Sequence, residues 1–212
     1  MNKIWIGNGQ LVLPDKIVPG GSVLLEGKKI AAVNVPCPPD ARRVDVDGSY
    51  IMAGFVDIHV HGGGDSDFMD EDASAFPTIA KAHCAHGTTA LCPTTMTCAD
   101  SLLEKTIDLF LEADKEPENG AELLGLHLEG PYFSAASKGA QPIGEQRIPE
   151  REDLERILRR AKGSILRWDA APELPNMELF AKVMAENGVL ASLAHSAATA
   201  PEALRAFDWG FS

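Results

Sequence analysis

The sequence predicts an α/β protein, an incomplete (β/α)8 barrel of the TIM type preceded by a small all-β unit. Three observations predict this fold. Residues 1–52 read as short strands broken by turns, residues 53–212 alternate between apolar strands and amphipathic helices, and the polar residues of the second part cluster where its strands end. Alternating strands and helices indicate a parallel sheet. We therefore expect two domains, 1–52 and 53–212.

The first 52 residues contain short apolar runs separated by glycine, proline and asparagine, a pattern typical of strands and turns. Gly7-Asn8-Gly9 separates the first two runs, and Gly27-Lys28-Lys29 joins two others as a hairpin. Three prolines at positions 36, 38 and 39 remove backbone donors and predict a loop. The candidate strands are residues 4–6, 11–13, 22–26, 30–33 and 44–48.

The second part contains five strand–helix units in succession. The predicted strands are residues 55–60, 88–93, 123–128, 165–170 and 189–194, and the predicted helices are residues 73–85, 101–113, 150–161 and 177–186, with a fifth beginning at Pro201. A doubly wound sheet and a barrel both fit this order. Polar residues at the carboxyl ends of several different strands favour the barrel, because barrel enzymes build their sites there. A closed barrel needs eight units, and five leave two bare sheet edges, so we expect a truncated chain.

Charge and composition narrow the possible partners. The formal net charge of −12 argues against nucleic acid, and the apolar runs are shorter than a membrane span. Four cysteines without a CxxC pair, and a start without a secretory pattern, predict a cytoplasmic protein with reduced thiols. A small molecule is the expected partner.

Two histidines end the first barrel strand, in His59-Val60-His61. Side chains alternate along a strand, so both imidazoles are expected on one side, where they can share a divalent metal. An HxH pair alone is also typical of an ordinary polar strand end. The preceding Ala53-Gly54-Phe55-Val56-Asp57 strengthens the metal interpretation, because it resembles the amidohydrolase pattern PGFIDxHxH, with alanine in place of the usual proline.

Glu129 and His195 end the third and fifth barrel strands and complete the predicted ligand set. A carboxylate after an apolar strand is costly to bury unless it is paired or binds a metal. His127 precedes Glu129 by two positions and is interpreted as a packed interior residue or a partner of the ligands. His83 and His86 lie in the last turn of a predicted helix, where capping is favoured over metal binding.

These motifs resemble the N-acetylglucosamine-6-phosphate deacetylase family of the amidohydrolase superfamily. The resemblance extends over almost the whole chain. The matching segments, in the family's order, are residues 54–64, 87–95, 125–134 (with GLHLEGP), 138–140 (KGA), 171–173 and 194–196.

The resemblance implies a (β/α)8 barrel beside a small β-sandwich built from both chain ends, so that residues 1–52 would be a sandwich portion. It implies that Glu129 and His195 bind the primary metal, that His59 and His61 make this a two-metal type, and that Ala140 and Gln141 contact the sugar. Histidine is frequent in the family where this chain has Gln141. One or two divalent ions, zinc or iron, a sugar-phosphate substrate and a homodimer are expected.

Two further family residues are expected beyond Ser212: a metal-binding histidine in a stretch resembling HxTHLFNAM, and the aspartate that transfers protons during catalysis. No catalytic acid or base is therefore assigned within the chain, and the 212-residue chain alone is expected to be inactive. Dihydroorotase-like and dipeptidase-like amidohydrolases are alternatives, but many of them use a carboxylated lysine on the fourth strand, and residues 165–171 contain none. A non-catalytic fragment is the other alternative.

Overall fold

The computed structural model describes residues 3–142 and 144–212. Met1 and Asn2, which begin the predicted β unit, and Ile143, in the predicted loop after Gly130, lie outside the described residues. The chain divides into two compact units, one ending at Gly54 and the other extending from Phe55 to Ser212.

The first unit is a five-stranded sheet. Its strands are β1 (Lys3–Val12), β2 (Ile17–Glu26), β3 (Lys29–Val33), β4 (Arg42–Asp45) and β5 (Tyr50–Ile51). β2 pairs antiparallel with both β1 and β3, whereas β4 and β5 lie parallel to β1. Leu11, Val23 and Ile51 form its buried cluster.

The prediction of two strands separated by Gly7-Asn8-Gly9 is wrong, because β1 runs through this segment. The ladder to β2 shifts register between Gly7 and Gly9, and Asn8 adopts φ 61°. A β-bulge absorbs the turn-forming residues without ending the strand. Gly7 is needed there, because a Cβ would lie 2.1 Å from the Trp5 ring.

The second unit alternates strands and helices as predicted. Its strands are β6 (Phe55–Val60), β7 (Gly62–Gly63), β8 (Ser66–Asp67), β9 (Thr88–Thr95), β10 (Glu122–Leu123), β11 (Leu126–Glu129), β12 (Ile165–Ala170) and β13 (Leu190–Leu193). Its α-helices are α1 (Ala75–Cys84), α2 (Asp100–Glu112), α3 (Arg151–Ala161), α4 (Met177–Glu186) and α5 (Ala200–Trp209). β6, β9, β11, β12 and β13 lie side by side in that order, all parallel. The α/β prediction is confirmed, and the parallel sheet is a half-barrel.

Capping residues and charges at the ends suit two of the helices. α5 begins with a capping box formed by Thr199 and Glu202 and ends at Gly210, whose φ is 103°. α3 has acidic residues in its first turn and arginines in its last, which suits the helix dipole. Helices α1 to α4 each bury an apolar face, whereas α5 buries only Ala206.

The single strand predicted at residues 123–128 is two strands, β10 and β11, separated at Leu124-Gly125. β10 pairs with Ala90 and Leu91 of β9, and β11 pairs with β9 further along and with β12. A Cβ at Gly125 would lie 2.5 Å from the side chain of Leu166. The glycine therefore allows β11 to approach β12 and places Glu129 at the end of the sheet.

Trp168 lies at the centre of the buried core of this unit. The indole is fully buried and lies close to Tyr132 and Phe180. Its Nε1 donates a hydrogen bond of 2.8 Å to the carbonyl of Gly130. This bond ties β12 to the residue that follows Glu129. Among the described residues, no helix is both long and apolar enough to cross a membrane.

Candidate metal centre

The four predicted metal ligands lie together at the carboxyl ends of three strands. His59 and His61 lie at the end of β6 and just after it, Glu129 is the last residue of β11, and His195 follows β13 by two positions. Parallel strands bring their carboxyl ends to the same edge of the sheet. The site therefore combines residues that are up to 136 positions apart in the sequence.

Glu129 is the centre of the cluster. His195 Nε2 lies 2.8 Å from its Oε1, His61 Nε2 lies 3.2 Å from its Oε2, and His59 Nε2 lies 3.9 Å from Oε1. The Glu129 side chain is 7% exposed, and the three imidazoles are partly exposed. The ligand atoms of His59, His61 and Glu129 all lie within 4.8 Å of one another, close enough for a shared metal ion.

Backbone carbonyls fix the orientation of two of the rings. His61 Nδ1 lies 3.2 Å from the carbonyl oxygen of Thr94, and His195 Nδ1 lies 3.0 Å from that of Ser137. A carbonyl only accepts, so each Nδ1 carries the proton. Each Nε2 then presents either a lone pair or a second proton to Glu129, and a lone pair at 2.8–3.2 Å from a carboxylate oxygen requires a cation between them. The donor set fits a divalent metal.

The electrostatics of the ligands reflect this arrangement. Burial raises the pKa of Glu129, but hydrogen bonds from His61 and His195 and the nearby charge of His59 outweigh it and lower the pKa to about 2. The hydrogen bond with Glu129 raises the pKa of His61 above its ordinary value. Burial lowers the pKa of His59. Glu129 therefore stays ionised and ready to bind a cation at neutral pH.

Positive φ angles at two backbone positions determine the direction in which the ligand side chains point. His195 adopts φ 45°, a left-handed conformation that is uncommon for a residue with a side chain and often marks a functional position. Gly130, directly after Glu129, adopts φ 102°, and a Cβ there would lie 2.1 Å from Thr97 Oγ1. The Glu-Gly-Pro sequence thus allows the chain to turn sharply beyond the carboxylate.

Sequence reasoning missed a second group beside the first, formed by His59, His127 and Asp169, whose ligand atoms also lie within 4.8 Å of one another. His127 and Asp169 are fully buried, with His127 Nε2 3.0 Å from Asp169 Oδ2. Arg167 Nε donates to Asp169 Oδ1 at 2.8 Å. Burial raises the pKa of Asp169, but His127 and Arg167 outweigh it and lower the pKa. The position of Asp169 near the carboxyl end of β12 was the available signal.

Ala140 and Gln141, the expected sugar contacts, lie on the segment that follows β11. Ala140 is exposed, whereas Gln141 is only 2% exposed and its side chain donates to Glu129. His83 Nε2 lies 3.1 Å from the carbonyl of Gly62, so it tethers α1 to the turn after His61. This contact agrees with the structural interpretation of His83. His86 is exposed.

Comparison with known proteins matches residues 50–210 to the model of the amidohydrolase family. Among curated proteins, the chain is 30% identical over 177 residues to an N-acetylglucosamine-6-phosphate deacetylase of Lysinibacillus sphaericus, covering 80% of this chain and 44% of the relative. It is 28% identical over 206 residues to an N-acetylgalactosamine-6-phosphate deacetylase of Escherichia coli O157:H7, covering 97% of this chain and 51% of the relative.

A similar solved structure is that of an N-acetylglucosamine-6-phosphate deacetylase from Pasteurella multocida, with a TM-score of 0.88 and 27% identity. The alignment covers 99% of this chain and 55% of that one. The resemblance inferred from the motifs is confirmed by these matches. The chain spans about half the length of the curated relatives it matches.

Proposed function

Because the chain belongs to the amidohydrolase family, we propose that its protein hydrolyses the acetamide of N-acetylglucosamine-6-phosphate to glucosamine-6-phosphate and acetate. The observation that carries the proposal is the convergence of three imidazoles on the buried carboxylate of Glu129. Relatives at 28–30% identity are deacetylases of amino-sugar phosphates, which supports this substrate class.

The proposed cofactor is one or two divalent ions, with zinc or iron suited to imidazole and carboxylate ligands. His59, His61, Glu129 and His195 would hold them. When bound, the metal would supply a Lewis acid for the activation of water and for stabilising the charge that develops on the acetamide oxygen. The protein contributes the orientation: the Thr94 and Ser137 carbonyls keep Nε2 of two rings facing the site.

Proton transfer to the leaving amine needs an acid beside the scissile bond. The proposal assigns this step to the family's strand-end aspartate, which together with the further metal-binding histidine is expected beyond Ser212. Asp169 is a poor candidate for this role, because it is fully buried and its oxygens face Arg167 and His127.

Three wider expectations belong to the same proposal. The N-terminal five-stranded sheet would be part of a small β-sandwich. The protein would act as a cytoplasmic homodimer on a small amino-sugar phosphate. A dihydroorotase-like or dipeptidase-like activity is not favoured, because β12 supplies Arg167 and Asp169 and no lysine that could be carboxylated.

The test measures acetate release by the purified product of the intact gene. We expect acetate from N-acetylglucosamine-6-phosphate, loss of release after chelator treatment, and recovery on adding zinc or iron. His195→Ala should abolish release, whereas His86→Ala, at an exposed position in the turn after α1, should leave it unchanged. N-acetylgalactosamine-6-phosphate tests the choice between sugar epimers. A metal-loaded protein that releases acetate from neither sugar phosphate would refute the proposal.

A further inference from the structure

The segment after β11 reaches both Glu129 and His195. A short 3₁₀ helix, Ala135–Ser137, places the Ser137 carbonyl 3.0 Å from His195 Nδ1. The next residues close a tight turn, in which Gln141 N donates to Lys138 O at 3.1 Å and Lys138 Nζ donates to Gln141 O at 3.1 Å. This turn directs the Gln141 side chain inward toward Glu129.

Both ends of the Gln141 amide are engaged. Its Oε1 accepts a hydrogen bond of 2.8 Å from the backbone N–H of Thr97, and its Nε2 donates a bond of 2.9 Å to Glu129 Oε2. A backbone N–H only donates, so this contact assigns the oxygen and leaves the NH2 group facing the carboxylate. The amide orientation is therefore set by the protein itself.

The carboxylate of Glu129 is thereby fixed in its plane. Oε1 faces His195, and Oε2 lies between His61 and Gln141. Gln141 offers Glu129 a neutral donor, which stabilises the negative charge without adding a second lone pair that would compete for the metal. Partners of this kind orient a ligand and increase its affinity for the metal.

We infer that Gln141 is a positioning residue for the metal-binding carboxylate, and not a contact to the sugar. This inference rests on the metal site of the proposed function. The Gln141 side chain is 2% exposed and each end of its amide already bonds to a protein group, so very little of it is open to a sugar hydroxyl. The family resemblance implied the sugar contact, because in the family the residues after the KGA motif contact the sugar.

Two variants of Gln141 distinguish the positioning of the Glu129 carboxylate from the attachment of the Gln141 segment to Thr97. Gln141→Met removes both hydrogen bonds with little change in volume. Gln141→Glu keeps an acceptor for the Thr97 N–H but has no donor for Glu129. Gln146→Met is the matched control, since Gln146 lies in the same loop, donating to Pro142 O and accepting from Gly144 N instead.

The experiment measures zinc affinity by chelator competition, and KM for N-acetylglucosamine-6-phosphate at saturating zinc, with far-UV circular dichroism as the folding check. We expect both Gln141 variants to bind zinc about 10–100-fold more weakly, with KM unchanged, and the Gln146 variant to match the wild type. Raised KM with unchanged zinc affinity would identify a sugar contact and overturn the inference.

Zinc affinity of Gln141→Glu equal to or tighter than wild type would also overturn it, because the donor to Glu129 would then be dispensable. Should Gln141→Met fail to fold, Gln141→Glu decides alone. The zinc measurement needs no turnover. Failure of the proposed reaction would appear as absent acetate release in the wild type, with the zinc result still readable.

Discussion

The hydrogen bond from Trp168 to Gly130 offers a direct test of how the core supports the site. Trp168→Phe keeps an aromatic ring between Tyr132 and Phe180 but removes the indole N–H. The Gly130 carbonyl, which lies in the buried turn directly after Glu129, would then lose its 2.8 Å donor.

The expected loss of stability follows from two contributions. Leaving a buried acceptor without its partner costs about 1–3 kcal/mol. The smaller phenyl ring leaves a void at a fully buried position, which adds about 1 kcal/mol. Together they predict that the free energy of unfolding falls by about 2–4 kcal/mol. For a chain of this length each kcal/mol lowers the melting temperature by roughly 2–4 °C.

Urea unfolding followed by far-UV circular dichroism measures this difference. Trp209→Phe is the matched control, because the same substitution there is made at a partly exposed residue of α5, and we expect a change below about 1 kcal/mol. If Trp168→Phe unfolds within about 1 kcal/mol of the wild type, the indole does not stabilise the turn after Glu129 and the reasoning is refuted.

Three further predictions concern the site. Protons compete with metal for Nε2 of His61, so zinc affinity should fall as pH drops from about 8 to about 6. In the metal-free protein, stability changes with pH in the opposite direction. Because the pKa of His61 is raised in the folded state, the protonated ring stabilises the fold at pH values below its ordinary pKa of 6.5. This contribution is lost as pH rises through the raised pKa. Zinc affinity should therefore increase with pH, whereas the free energy of unfolding of the metal-free protein, measured in urea, should decrease. Trends of the same sign would contradict the two predictions. Gly139→Ala should cost about 1–2 kcal/mol, because φ is 59°, and should weaken zinc binding, because its Cβ would lie 3.2 Å from the His195 ring. Unchanged zinc affinity in that variant would show that the ring has room to shift. Thr94→Val should lower unfolding stability by about 1–3 kcal/mol, because the Val60 N–H loses its 2.9 Å acceptor, and a neutral result in urea would argue against this bond.

Local sequence patterns were sufficient for the order of elements in the second unit. The strand–helix alternation from Phe55 onward is confirmed in every unit, since apolar periodicity and capping residues act within one element. The local patterns failed at Gly7-Asn8-Gly9 and at Gly125. The first segment was interpreted as a turn because of its glycines, and Gly125 was overlooked within a predicted strand. At both positions the cross-strand neighbours decide the outcome, as a bulge against β2 and as a close approach to β12.

The candidate ligands could be chosen from the sequence because each is a polar residue at the end of an apolar strand, a placement that is costly without a partner. Their assignment as metal ligands stays a prediction until metal binding is measured. Asp169 escaped notice for a physical reason. In the sequence of β12 its carboxylate lies two positions from Arg167, which suggests a local ion pair. Nothing in the local sequence shows that His127, on the neighbouring strand β11, contacts it.

The amino-acid sequence by itself determined the strand–helix order of the second unit and the polar residues at its strand ends, and hence which imidazoles and carboxylate are available to a metal. Only the tertiary structure decided how those groups are held: the carbonyls that orient His61 and His195, and the turn that brings the Gln141 amide onto Glu129. The difference is one of range. Periodicity and capping depend on neighbours within a few residues, whereas hydrogen-bond partners 12 to 66 positions apart are fixed only when the parallel strands bring their ends to one edge of the sheet.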